Sequence, residues 1–169
     1  MAEERHQSNC EGKVGDSSFC FGPPAPDYYA GIPENERAKR VLMDFDLCVI
    51  DQKLFFIRGC LDIPVVGTGK IFSWLVWVSL AEKSFQRAIE MWETPGREAE
   101  PPSFGWLSTS LPHYPETLNL KTNVHTKPVG VRPQIELEPT THPLAVEQRQ
   151  GMTLERAQSL ANHLIREWS

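Results

Sequence analysis

The run IFSWLVWVSLA, at 71–81, is apolar at almost every position, and it sets the tightest limit on the fold. Successive side chains of a strand point to opposite faces, so Phe72 and Trp74 fall on one side and Leu75 and Trp77 on the other. Both sides are apolar, which suits a strand at the centre of a sheet covered on both faces. The run is well short of the roughly 20 residues needed to cross a bilayer. It predicts a central strand over 72–78 and no membrane span.

The flanking segments supply neighbours for that strand. DLCVIDQKLFFIRGCLDIPVVGTGK, at 46–70, reads as two β-branched and aromatic runs around the polar Asp51, Gln52 and Lys53, a hairpin whose second strand is limited by Pro64. GTGK, at 67–70, lacks the spacing of a phosphate loop and reads as a turn. LNLKTNVHTKPVGVRPQIELEP, at 118–139, alternates apolar and polar residues on both sides of Pro128 and Gly130, a second antiparallel pair with one exposed face. Between them, Ser79 and Glu82 have the spacing of a capping box, and Phe85, Ala88, Ile89 and Trp92 form one apolar helical face that Pro95 and Gly96 stop. The proline-rich stretch at 94–118 reads as a long ordered loop, and 21–33 as a connector. A short helix is expected over 34–42, and a C-terminal amphipathic helix runs from Leu154 to Trp168 with Thr153 as its cap. THPLAVEQRQG, at 141–151, reads as the corner between sheet and last helix, with His142, Glu147 and Arg149 as its fixing groups. The sum is an α+β fold: a single domain over 21–169, with a mainly antiparallel sheet of about five strands and two or three helices packed on it, after an irregular segment at 1–20.

A net charge of −5 argues against a phosphate-backbone binder, so nucleic acid is not an expected partner. The first residues, MAEERHQSNCEGK, are polar and offer no apolar signal core, which makes a cytoplasmic location the expectation. In that compartment the cysteines at 10, 20, 48 and 60 are expected as free thiols.

Several blocks form a recognisable set: DLCVID, FFIRGCLDIPV, WVSLAEKSF, GWLSTSLPHYP, LKTNVHT and RPQIELEPTTHPLAVEQRQGMT. In this order, over roughly residues 17 to 165, they resemble the bacterial family known as domain of unknown function 2199. The resemblance implies a soluble bacterial protein and supplies no mechanism. Members often begin with a Cys-x-x-Cys pair followed by a histidine, half of a zinc-site spacing. This chain contains no Cys-x-x-Cys, so the resemblance carries no metal site over to it.

No motif of metal, nucleophilic or phosphate chemistry is present, and the sequence implies no cofactor. The leading expectation is a small binding or interaction protein with a protein or peptide partner, using Trp106, His113 and Tyr114 of the FGWLSTSLPHYP segment as contact residues. The alternative is a hydrolase or metal-dependent enzyme. It would draw on His125 and His142 with Asp46 as acidic partner and Cys48 as nucleophile, since imidazole, carboxylate and thiolate are competent for both chemistries.

Overall fold

In the computed structural model, which describes residues 19–168, the apolar run is the spine of the sheet. Strand β1 is Cys20–Phe21, followed by the short helices α1, Asp27–Ala30, and α2, Glu34–Arg40. Strands β2, Val41–Met43, β3, Leu47–Ile50, β4, Leu54–Val65, and β5, Lys70–Leu80, come next, and helix α3 spans Glu82–Glu90. Strand β6, Ser103–Leu107, leads to β7, Lys121–His125, and β8, Gln134–Leu137. Helices α4, Pro143–Gln150, and α5, Leu154–Glu167, complete the chain. The expected irregular segment at 1–20 lies outside the described residues except for Phe19 and Cys20.

The sheet is larger than expected and it is mixed. The described residues form five α-helices and eight strands in the order β1-β5-β6-β7-β8-β4-β3-β2, and β4 also pairs with β5, so β4 to β8 close into a five-stranded barrel. Most pairs are antiparallel, but β1–β5 is parallel, and so is the β4–β8 contact that closes the ring through Cys60 and Gln134. α+β holds; the simple antiparallel sheet with two or three helices does not. Long-range closure leaves no local pattern to read, because neither partner strand changes its alternation.

That alternation decides what fills the interior. Phe72, Trp74, Val76, Val78 and Leu80 of β5 point into the main core with Ile57, Leu61, Ile63 and Val65 of β4, Leu107 of β6, Val124 of β7 and Ile135 and Leu137 of β8. Burying aliphatic and Phe side chains of this kind contributes roughly 1.5–3 kcal/mol apiece. A five-stranded ring is narrow, and two inward positions are glycine. A Cβ on Gly59 would stand 2.6 Å from Ile135 Cδ1, and one on Gly105 would stand 2.3 Å from Val78 Cγ1. The opposite face of β5 offers Trp77 to a second core with Ile32, Cys48, Ile50 and Phe56. There Pro23 O accepts from Trp77 Nε1 at 3.2 Å. The two-faced apolar run is thus satisfied on both sides.

Several local expectations are corrected. The strand β4 runs through Pro64: its carbonyl accepts from Met152 N, so its nitrogen also faces away from β5 and the ladder loses no bond. The Ser79–Glu82 capping box does not form, because Ser79 stays in β5 and Ala81 precedes the helix with no side-chain cap. Ile89, placed on the apolar face of α3, is exposed, while Phe85 is buried against Phe55. The expected loop at 94–118 contains β6, and the expected corner at 141–151 is helix α4. The connector holds α1. Cys48 and Cys60 are free and buried, but Cys20 is disulfide-bonded, against the expectation of four free thiols. The hairpin at Asp51 and Gln52 holds, with both residues at positive φ, as do the 67–69 turn, the β7–β8 pair and Thr153 as cap of α5. None of the helices among the described residues is long and apolar enough to cross a membrane.

Candidate functional site

The inward rule for the barrel fixes what its outside presents. On β6, Gly105 and Leu107 point in, so Phe104 and Trp106 point out; on β7 and β8 the outward residues are Lys121, Asn123, His125, Gln134 and Glu136. Register sets their neighbours: Trp106 lies opposite Lys121, Phe104 opposite Asn123, and Asn123 opposite Glu136. Phe104 is 49% and Trp106 42% exposed, and their rings meet edge to face at 5.1 Å and 86°. β6 is hydrogen-bonded on both sides, so the pair stands on a rigid strand rather than on the loop expected for it. Beside the rings is a shallow hollow floored by Ser79, Leu80, Ala81 and Ser84.

Leu80 and Ser84 also line a narrow cleft of about 50 Å3, open to solvent at its mouth, between α3 and the end of the barrel. Ile57, Leu80, Val124 and Pro133 line it from the barrel, and Ala88, Met91 and Trp92 from α3 and the turn after it. Its rim is charged. Arg87 is ion-paired with Glu100 and holds its proton more firmly for that bond. Arg97 is buried and donates to four carbonyls: Nε to Lys127 O at 2.7 Å, Nη1 to Trp92 O at 2.9 Å, and Nη2 to Pro128 O and Val131 O at 3.0 Å each. Burial weakens its hold on the proton, and the nearby charges of Glu93 and Glu98 oppose that effect.

The other residues singled out by sequence stand elsewhere. His113, at positive φ, lies 3.3 Å from Glu167, and Tyr114 donates to Glu147 Oε2 at 2.8 Å beneath Arg156. Burial, with the Glu147 charge beside it, pushes the Tyr114 hydroxyl far above its ordinary range, so it remains a neutral donor. This pair braces α4 and α5 and is not part of the Trp106 surface. Asp46 is buried in an ion pair with Arg132, Oδ1 to Nε 2.7 Å. Arg58, close by, is pulled down to about 10 by burial and by the Arg132 charge, with Asp46 opposing. Cys48 lies in the second core, and burial pushes its thiol up to about 11, which leaves almost no thiolate at neutral pH. His125 shares the outer face with Trp106, its Nε2 3.5 Å from Glu136 Oε1, too long for a strong hydrogen bond. His142 is the N-cap of α4: Nδ1 accepts from Leu144 N at 3.1 Å while Nε2 donates to Glu116 O at 3.0 Å. Among the described residues no three His, Cys, Asp or Glu side chains gather as a metal site would require.

Sequence reasoning held Trp106 as a contact residue and His125 as a catalytic candidate; the outer face of the barrel carries both, and each stands apart from the partners expected for it. It held Phe104 only as part of the FGWLSTSLPHYP segment, and it missed Arg97 and Lys127. The i, i+2 repeat of Phe104 and Trp106 against Gly105 and Leu107 was a strand signal, masked by the prolines around it. No local signal marks Arg97, because three of its four partners come from a loop about thirty residues later.

No curated protein matches the chain, and no solved structure matches it. The family model described as an uncharacterized protein conserved in bacteria (DUF2199) matches residues 7–152, which is most of the chain. With the ordered blocks from β3 to α4 inside that span, the chain belongs to this bacterial family.

Proposed function

We propose that the chain is a binding protein whose partner is a protein or peptide, taken on the outer face of the barrel around Phe104 and Trp106. The observation that carries this reading is the aromatic pair itself. Neither ring fills a core, yet both are held edge to face on a strand bonded on both sides. Exposed Trp and Phe on a rigid element give a large apolar contact at little entropic cost. Lys121, Asn123, His125 and Glu136 add donors and acceptors of mixed charge around the rings, the composition of a polar rim. The proposed compartment is the cytoplasm, in which the bond at Cys20 would be reduced and Cys48 and Cys60 would keep their thiols.

The test is selection of displayed peptides on the full chain, with Phe104→Ala/Trp106→Ala as the comparison. Enriched peptides should lose roughly thirtyfold in affinity for the double variant, as for a central hot spot. Its thermal midpoint should stay close to that of the parent, because both rings face outward. No enriched peptide, or equal binding to the double variant, overturns the reading.

A further inference from the structure

We propose that the hollow beside Phe104 and Trp106 takes a proline-rich segment in the polyproline II conformation. This rests on the partner reading above and names the class of peptide for it. The hollow is open and of about 350 Å3, and none of the residues lining it is charged. Two aromatic rings at 86° to each other flank it, and its floor carries the hydroxyls of Ser79 and Ser84 beside Leu80 and Ala81.

What this surface withholds decides its occupant. A peptide that docks on a sheet in extended form adds a strand at a free edge. No such edge exists at the rings, because β6 is paired with β7 through Phe104 and Trp106 and with β5 through Trp106. The N–H groups of an incoming extended backbone would lose water and find no ladder to join, at roughly 1–3 kcal/mol for each one buried. Proline has no N–H to lose, and a polyproline II backbone makes no internal hydrogen bonds, so its carbonyls remain bare. The hollow has donors for them. Among the described residues, neither the Trp106 indole N–H nor the Ser84 hydroxyl has a hydrogen-bond partner. Aromatic walls could also hold a cation. Lys121 lies directly opposite Trp106 on the same face, however, and its charge repels one. An uncharged apolar ring with a bare carbonyl is what remains.

The probes are capped decaproline and a capped decapeptide that alternates proline with alanine, titrated calorimetrically into the full chain. Both are uncharged, and the second restores an N–H at every other position. Decaproline should bind saturably, and the alternating peptide should bind about tenfold more weakly. Trp106→Phe, which keeps a ring and removes the N–H, should weaken decaproline by roughly three- to tenfold, the weight of one neutral hydrogen bond. Phe104→Ala/Trp106→Ala should abolish binding, and tetramethylammonium should not compete. Thermal midpoints of the variants confirm that they fold. The proposal is overturned by absence of saturable decaproline binding, by equal binding of the alternating peptide, by an unaffected Trp106→Phe, or by competition from tetramethylammonium. Displayed peptides enriched without proline, and lost with the double variant, would overturn it while leaving the partner reading in place.

Discussion

A guanidinium carries its donors in one rigid plane, and Arg97 directs them at carbonyls of two separate chain segments. A sheet ladder cannot serve those carbonyls, because they belong to the turn after α3 and the turn between β7 and β8. With Arg97 removed they would lose that donor, and only Pro128 O keeps a bond the structure shows, from Val131 N in its own turn. Arg97→Met should therefore lower unfolding free energy by roughly 3 kcal/mol, read from urea midpoints. Arg97→Lys should recover less than half of that, since an ammonium cannot reach both segments in one plane. A loss within about 0.5 kcal/mol, the size of an ordinary surface change, would show that water satisfies the turns instead. The glycines at 59 and 105 make a different residue-level demand: their missing side chains are the space into which Ile135 and Val78 pack.

At the scale of elements, α4 shows how a helix can be secured with little amphipathic pattern. PLAVEQRQ buries only Leu144 and Ala145, so its ends and its polar side chains hold it. His142 caps the first turn and ties it to Glu116, Pro143 presets the first helical φ, and Gly151 leaves the helix at φ 85. His142→Ala should cost about 1 kcal/mol in chemical denaturation, whereas His142→Asn, which can still accept from Leu144 N, should cost a few tenths. Equal losses would mean that the Glu116 bond matters and the cap does not. This is also where the sequence was half legible: His142, Glu147 and Arg149 act as hydrogen-bonding and ion-pairing groups, as their residue types suggested, but the segment is a helix. Helices α3 and α5 were readable because their apolar stripes are long; the capping box was not real, because Ser79 had already been claimed by a strand that extends to Leu80.

For the whole molecule, what was legible was local. The β3–β4, β4–β5 and β7–β8 hairpins declared themselves by alternation and turn residues, and the two-faced run at 71–81 announced a central strand, whereas β2 and β6 were hidden under a helix and a loop. What joins β4 to β8 was not, since parallel closure pairs Cys60 with Gln134 across a long stretch of sequence. That closure is thin, and Gln148 of α4 completes it. Its Oε1 accepts from Leu137 N and its Nε2 donates to Ile135 O, both at 2.8 Å, on the side of β8 turned away from β7. One side-chain amide thus takes the place of a stretch of neighbouring strand. The barrel and the helix are then a single cooperative unit: the ring cannot finish closing until α4 has docked, and β8 is the strand to open first if the helix lifts. In native-state hydrogen exchange, Gln148→Ala should strip protection from the Leu137 amide while Asn123, whose amide faces Glu136 in the β7–β8 ladder, keeps its own. Equal loss at both would mean that the seam and the ladder open together, and that the ring is held by its strands alone.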